Sequence, residues 1–273
     1  MYRLVALDVD GTILDSQGEI PERVKRAVSQ ARQKGVTVVL ATGRRYRAAL
    51  PIAEALGLTW PIILHSGALL VEPAGQPLWH RPLAREVALE IITEIHQAGL
   101  AALFFRHTLD GPEVYYERPV PEPSYQKFLE ARPQEFRRVP DLGEACQGEV
   151  DKVMTLTPSL EEAENLAARF SQLKGEPLRA IRTLSRGGFH YLEVFRADTS
   201  KWEALAFLAR RWKISPEEII AIGDHINDLE MIEGAGLGVA MGNALPEVKA
   251  RAKLVTASND EAGVAEVLER YIL

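Results

Sequence analysis

Leu4-Val5-Ala6-Leu7-Asp8-Val9-Asp10-Gly11-Thr12 sets two carboxylates at the end of an unbroken apolar run. Four apolar residues without polar alternation suit a strand covered on both faces, as in a parallel sheet flanked by helices. Side chains alternate along such a strand, so Asp8 and Asp10 share one side while Val9 faces the other. Gly11 then permits a sharp turn. In open α/β sheets, ligands bind beyond the carboxyl ends of the strands, which is where this pair falls.

Further short apolar runs follow at residues 36–40, Ile62–Leu64, 219–222 and Leu237–Ala240, with a weaker one at 253–256. All are expected to be strands of the same parallel sheet. Helical patterns lie between them. Residues 21–34 place Val24, Ala27, Val28 and Ala31 on one face and stop at Gly35. Ser215-Pro216-Glu217-Glu218 carries a serine cap, a first-turn proline and a capping-box glutamate, the marks of a helix start. Ser200-Lys201-Trp202-Glu203 and Ser258-Asn259-Asp260-Glu261 have the same box spacing. Alternating β and α segments imply a Rossmann-like parallel-sheet core with right-handed crossovers.

The middle of the chain reads differently. A helix pattern at 86–98 precedes candidate strands at 101–105 and 114–117. A strand at 152–156, a helix opened by Ser159 and strands near 180–184 and 191–195 come later. The stretch 118–140, rich in Pro, Glu and Arg, is the expected irregular region. The pattern predicts an α+β domain over 83–196, inserted into a core made of 1–82 and 197–273. Overall the fold class is α/β.

Composition narrows the function. The chain has 273 residues, a formal net charge of −6 and one cysteine. An acidic balance argues against nucleic-acid binding, which needs basic surfaces. Cys146 alone excludes an intrachain disulfide and fits a reducing, cytoplasmic setting. The start of the chain carries no signal-peptide pattern. No apolar stretch approaches the ~20 residues of a membrane span.

Three more polar strings follow apolar runs or open a helix. Thr42-Gly43-Arg44 offers a hydroxyl and backbone N–H groups at a strand-to-helix junction, where an anion can be gripped. Gly223-Asp224-His225-Ile226-Asn227-Asp228 packs two carboxylates and an amide into one turn, which is costly without a cation or hydrogen-bond donors. Lys201 falls in the first turn of its helix, where a cation opposes the helix dipole. With Asp8 and Asp10, these groups form a set able to hold Mg²⁺ and a phosphate. A calcium loop would need a third Asp or Asn before Gly11 and a helix in front, and neither is found.

These strings, in this order, resemble the haloacid dehalogenase superfamily of phosphohydrolases, and in particular its Cof-type branch with a large inserted α/β cap. Arg196-Ala197-Asp198-Thr199-Ser200-Lys201 and Gly238-Val239-Ala240-Met241-Gly242-Asn243-Ala244 extend the likeness. The resemblance implies a Mg²⁺-dependent phosphatase acting on small phosphate monoesters such as sugar phosphates. In it Asp8 is the nucleophile that becomes an aspartyl-phosphate, and Asp10 is the general acid/base. Thr42, Gly43, Lys201 and Asn227 contact the phosphate. Asp8, the Asp10 carbonyl and Asp224 ligate the metal, with Asp228 supporting it through water. Alternative readings are a phosphotransferase or phosphomutase on sugar phosphates, and a catalytically silent phosphometabolite-binding protein. Arg182, Arg186, His190 and Tyr191 are candidate substrate contacts from the cap. Two positions depart from the branch: Ser66-Gly67-Ala68 stands where Asn-Gly-Ala is usual, and Trp202 follows the lysine where glycine is usual.

Overall fold

The computed structural model describes residues 1–173, 175, 177–184 and 188–273. The chain begins with β1 (Leu4–Leu7), whose residues are all buried. Its two faces feed different apolar clusters: Val5 and Leu7 enter one, Leu4 and Ala6 the other. That double burial explains the lack of polar alternation. Helix α1 (Glu22–Gln33) buries Val24, Ala27, Val28 and Ala31, the stripe read from its spacing. Then come β2 (Thr37–Leu40) and α2 (Tyr46–Ala55).

Strand β3 (Ile62–Leu64) corrects one expectation. A single parallel bridge joins its Ile63 to Ala41. Its ladder instead runs antiparallel to β4 (Leu69–Val71), which pairs with β5 (Pro77–His80). The turn His65–Gly67 reverses the chain with three successive positive φ angles of 47°, 54° and 101°. The apolar run gave no sign of strand direction, because both arrangements bury it on two faces.

The unit Arg81–Thr199 comes next. It contains α3 (Arg85–Gln97), β6 (Ala102–Phe105), β7 (Val114–Tyr116), α4 (Pro123–Glu130), β8 (Phe136–Arg138) and α5 (Leu142–Ala145). After these follow β9 (Lys152–Thr157), α6 (Leu160–Phe170), β10 (Leu178–Leu184) and β11 (His190–Arg196). Its six strands lie in the order β10-β11-β9-β6-β7-β8. One face packs Phe104, Val153 and Val194 against Ile91 and Ile95 of α3 and Leu166 and Phe170 of α6. The other packs Leu103, Met154 and Leu156 with Leu129 of α4. The stretch 118–140 is thus irregular only in part: α4 and β8 lie within it, and residues 118–122, 131–135 and 139–140 belong to no helix or strand. Pro123 opens α4, where a proline costs nothing because that N–H has no helical partner.

The chain closes with α7 (Lys201–Arg211), β12 (Ile219–Gly223), α8 (Leu229–Gly234), β13 (Leu237–Ala240), α9 (Pro246–Arg251), β14 (Leu254–Val255) and α10 (Gly263–Tyr271). With residues Met1–His80 these form the second compact unit. Its sheet has the order β14-β13-β12-β1-β2, and every pairing is parallel. The Ser215 box closes a single 3₁₀ turn, Pro216–Glu218, rather than starting a longer helix. The β-branched run beginning at Ile219 is drawn straight into the central sheet. The Ser258 box likewise closes a turn through Glu261, and α10 starts two residues later. Among the described residues no helix is long and apolar enough to cross a membrane.

Candidate active site

β1 and β12 are neighbours in register, Leu7 beside Ile222. The residues just past their ends therefore meet. One oxygen from each of Asp8, Asp224 and Asp228 lies within 4.8 Å of the others. Gly11, at φ +81°, makes this approach possible: a Cβ there would sit 2.3 Å from Asp224 Oδ2.

Lys201 completes the cluster. It is the first residue of α7 and is fully buried, with 0% relative exposure. Ser200 caps the helix by accepting the Glu203 N–H at 3.1 Å. The Lys201 ammonium donates to Asp8 Oδ1 and to Asp228 Oδ1, each at 2.6 Å. Two short charge-assisted bonds offset its burial and its place at the positive end of the dipole. Asp228 uses its other oxygen to accept the N–H groups of Asp224 and His225, both at 3.0 Å. So Asp228 ties the ammonium to the turn that carries Asp224. His225 takes part at least through this backbone N–H.

The electrostatics favour a cation. Three carboxylates face one ammonium. Burial pushes the Asp8 carboxyl well up, against the pull of Lys201, with Asp228 and Asp224 adding repulsion. Burial and then Asp228 push Asp224 up to about 7. Lys201 is raised as well: burial disfavours its charge, but Asp228 and Asp8 outweigh it and hold the ammonium protonated. The donors are hard carboxylate oxygens, the type that Mg²⁺ and Ca²⁺ take. Lys201 and the backbone engage both oxygens of Asp228. Asp8 and Asp224 are left as the pair fitted to hold a metal ion, with Thr12 Oγ1 steadying Asp224 Oδ1 at 3.3 Å.

Asp10 lies apart from this triad. Its carboxylate is 62% exposed and is gripped by Arg44, with Nε to Oδ2 at 2.8 Å and Nη2 to Oδ1 at 2.6 Å. Thr42 is fully buried and its Oγ1 accepts the Arg44 N–H at 3.1 Å. Asn227 Nδ2 donates to Ser66 Oγ at 3.2 Å. Gly43 adjoins them, since a Cβ there would reach Ser66 Oγ at 3.3 Å and Asn227 Nδ2 at 3.9 Å.

The turn His65–Gly67 links these pieces. His65 N–H donates to the Arg44 carbonyl and Ser66 N–H to the Thr42 carbonyl. A Cβ on Gly67 would lie 2.0 Å from the Ser200 carbonyl oxygen, so only glycine lets the turn abut the start of α7. Trp202 points elsewhere: its ring lies against Gly234 of α8, where a Cβ would sit 2.4 Å away. It packs between α7 and α8.

Three contributors lay within quoted motifs without a role assigned from sequence. Arg44 and Thr12 are two; the third, Asn243, donates to the Gly11 carbonyl at 2.8 Å and accepts the Asn259 N–H at 3.0 Å. An asparagine beside Gly242 in a strand-end loop was the available signal for the last. Of the candidate contacts in the inserted unit, Arg182 pairs with Glu164 at 3.3 Å and the Tyr191 hydroxyl donates to Glu122 at 3.3 Å. Burial and the adjacent Glu122 push that phenol well up. His190 lies in β11, and Arg186 falls outside the described residues.

A family model of haloacid dehalogenase-like hydrolases matches residues 5–268. The phosphatase YwpJ of Bacillus subtilis (strain 168) is 30% identical over 292 residues, spanning 99% of this chain and 100% of the relative. From the same organism, 5-amino-6-(5-phospho-D-ribitylamino)uracil phosphatase YitU is 28% identical, spanning 98% of this chain and 97% of the relative. The crystal structure of a haloacid dehalogenase-like hydrolase from Bacteroides thetaiotaomicron superposes with a TM-score of 0.83 at 28% identity, covering 99% of both chains. The chain belongs to the haloacid dehalogenase-like hydrolase family. It is an enzyme of the phosphatase class, with an acidic cluster that fits the metal ion such enzymes use.

Proposed function

We propose that this enzyme hydrolyses small-metabolite phosphate monoesters, sugar or sugar-alcohol phosphates foremost, through an aspartyl-phosphate on Asp8 and with Mg²⁺ as its cofactor. The observation that carries this reading is Asp8 itself: a buried carboxylate at a strand end, with one oxygen fixed by a buried ammonium and an acidic partner, Asp224, nearby. A relative that acts on a phosphorylated ribityl chain supports the substrate class. The single buried thiol, Cys146, fits a cytoplasmic setting.

In this mechanism Asp8 attacks phosphorus while the ester oxygen leaves with a proton from Asp10. Water then gives a proton to Asp10 and attacks the same phosphorus, releasing inorganic phosphate and restoring Asp8. A carboxylate nucleophile divides one hard step into two easier ones. Lys201 reduces the repulsion between Asp8 and the incoming dianion, and Thr42, Gly43 and Asn227 orient its oxygens. Asp8, Asp224 and the Asp10 carbonyl would hold Mg²⁺, with Asp228 as support. Its charge would offset that of the phosphoryl group.

The test is phosphate release from sugar phosphates, nucleotides and p-nitrophenyl phosphate, with and without Mg²⁺, by wild type and Asp8→Asn. Mg²⁺-dependent release that Asp8→Asn abolishes is the expected result. Turnover surviving in Asp8→Asn would remove Asp8 as nucleophile. Transfer to a sugar hydroxyl with little free phosphate would replace hydrolysis by phosphotransfer.

A further inference from the structure

Arg44 commits its guanidinium inside the chain. Nε and Nη2 grip the two oxygens of Asp10, and Nη1 donates to the Ala48 carbonyl at 3.3 Å. Its backbone is fixed as well, by Thr42 Oγ1 on its N–H and the His65 N–H on its carbonyl. The guanidinium side chain is 29% exposed, whereas the Asp10 carboxylate is 62% exposed. A well-anchored residue thus holds a more exposed one.

Exposed ion pairs are weakly stabilising as a rule, and a bidentate fork adds geometric definition as well as energy. What the fork supplies is direction. Two parallel bonds define the plane of a carboxylate, which a lysine's point charge cannot do. A proton donor must lie within about 3 Å of the atom it serves, and a misplacement of about 1 Å can cost ~100-fold in rate. Gly11 follows Asp10 immediately at φ +81°, so the backbone beside the carboxylate turns sharply and offers no extended strand to aim it.

We propose that Arg44 is a positioning residue that aims the Asp10 carboxyl at the leaving-group oxygen. This rests on the reading of Asp10 as the general acid. When Asp10 carries the proton, its carbonyl oxygen stays on the fork and its O–H faces the ester oxygen. As that P–O bond breaks, the proton passes to the departing alkoxide and the carboxylate returns to the bidentate grip. Arg44 exchanges no proton and touches no substrate atom.

The test uses kcat/KM, which reports the steps through leaving-group departure. Two substrates are compared: p-nitrophenyl phosphate, whose leaving group needs little protonation, and the best sugar phosphate of the panel, whose alkoxide needs it. Arg44→Met is expected to lower kcat/KM for the sugar phosphate by about 10- to 100-fold, within the range of general-acid effects, and for p-nitrophenyl phosphate by less than about 3-fold. Arg44→Lys, which keeps the charge and loses the fork, should show the same selectivity and serves if the methionine variant does not fold. On an Asp10→Asn background, Arg44→Met should add no further loss. Equal losses on both esters, a loss additive with Asp10→Asn, or wild-type rates would each overturn the proposal. Failure of the underlying reading looks different: Asp8→Asn would retain turnover, or Asp10→Asn would show no preference between the esters.

Discussion

Removing the Lys201 ammonium probes the cluster most directly. Lys201→Met keeps the aliphatic stem and deletes both 2.6 Å bonds, leaving Asp8 and Asp228 buried without their cation. Hydrogen bonds to charged groups are worth about 1.5–3 kcal/mol each, and stranding a buried charge costs about 3–5 kcal/mol. Taking the second range, with about 2–4 °C per kcal/mol for a unit of this size, the melting temperature should fall by about 6–20 °C. The assay is thermal unfolding at pH 8 with EDTA present. The reasoning has a sharper corollary. In Lys201→Met/Asp228→Asn the amide oxygen can still accept the N–H groups of Asp224 and His225, while the stranded charge is gone. The double variant should therefore be more stable than the single one, and both should lose about 10²- to 10³-fold in kcat. A single variant melting within about 2 °C of wild type, or a double variant less stable than the single, would refute the account.

Three other outcomes follow from the structure. Asp224 is raised to about 7 in the folded protein, above its ordinary value of 3.8, so the metal-free fold loses stability as pH climbs through that window and stays penalised above it. Stabilisation by Mg²⁺, read as the shift in melting temperature, should thus be larger at pH 8 than at pH 5; the reverse order would count against a cation shared by Asp8 and Asp224. Gly67→Ala should cost more than about 3 kcal/mol in urea unfolding and lower kcat, because its Cβ meets the Ser200 carbonyl ahead of Lys201, whereas Gly18→Ala, in open space at φ +82°, should cost only about 1–2 kcal/mol. Equal costs would show that the turn does not bear on α7. Trp202→Ala should destabilise by about 2–4 kcal/mol yet leave the ranking of substrates unchanged, since the ring packs on Gly234; a changed ranking would place it beside the substrate.

The strand-end motifs were legible because their chemistry is local. Four apolar residues followed by Asp-x-Asp-Gly state both the element and where it ends. The partnership among Asp8, Lys201 and Asp228 was legible only as a set of residue types, since spacing does not say which carboxylate takes the ammonium. Sequence placed Lys201 against the helix dipole but could not show that two carboxylates answer for it. Strand direction was not readable for Ile62–Leu64, where parallel and antiparallel ladders bury the same side chains. The capping boxes at Ser215 and Ser258 misled because a box satisfies one turn of backbone whether or not a helix follows. In residues 118–140 composition pointed to the loops but hid α4, since proline marks a helix start as readily as a loop.

The order of the sheet has a consequence for how the chain comes off the ribosome. β1 is flanked by β2, made soon after it, and by β12; Arg3 at its base reaches Glu218, 215 residues later. Throughout synthesis of Arg81–Thr199, one edge of an apolar central strand therefore has no native partner. Such edges invite pairing with other chains, and contacts this distant in sequence fold slowly. Lys201, Asp224 and Asp228 also all emerge after that unit. Asp8 is thus among the first residues made, and its buried charge is matched only when the last quarter of the polypeptide arrives. The nascent chain depends on whatever shields β1 in the meantime.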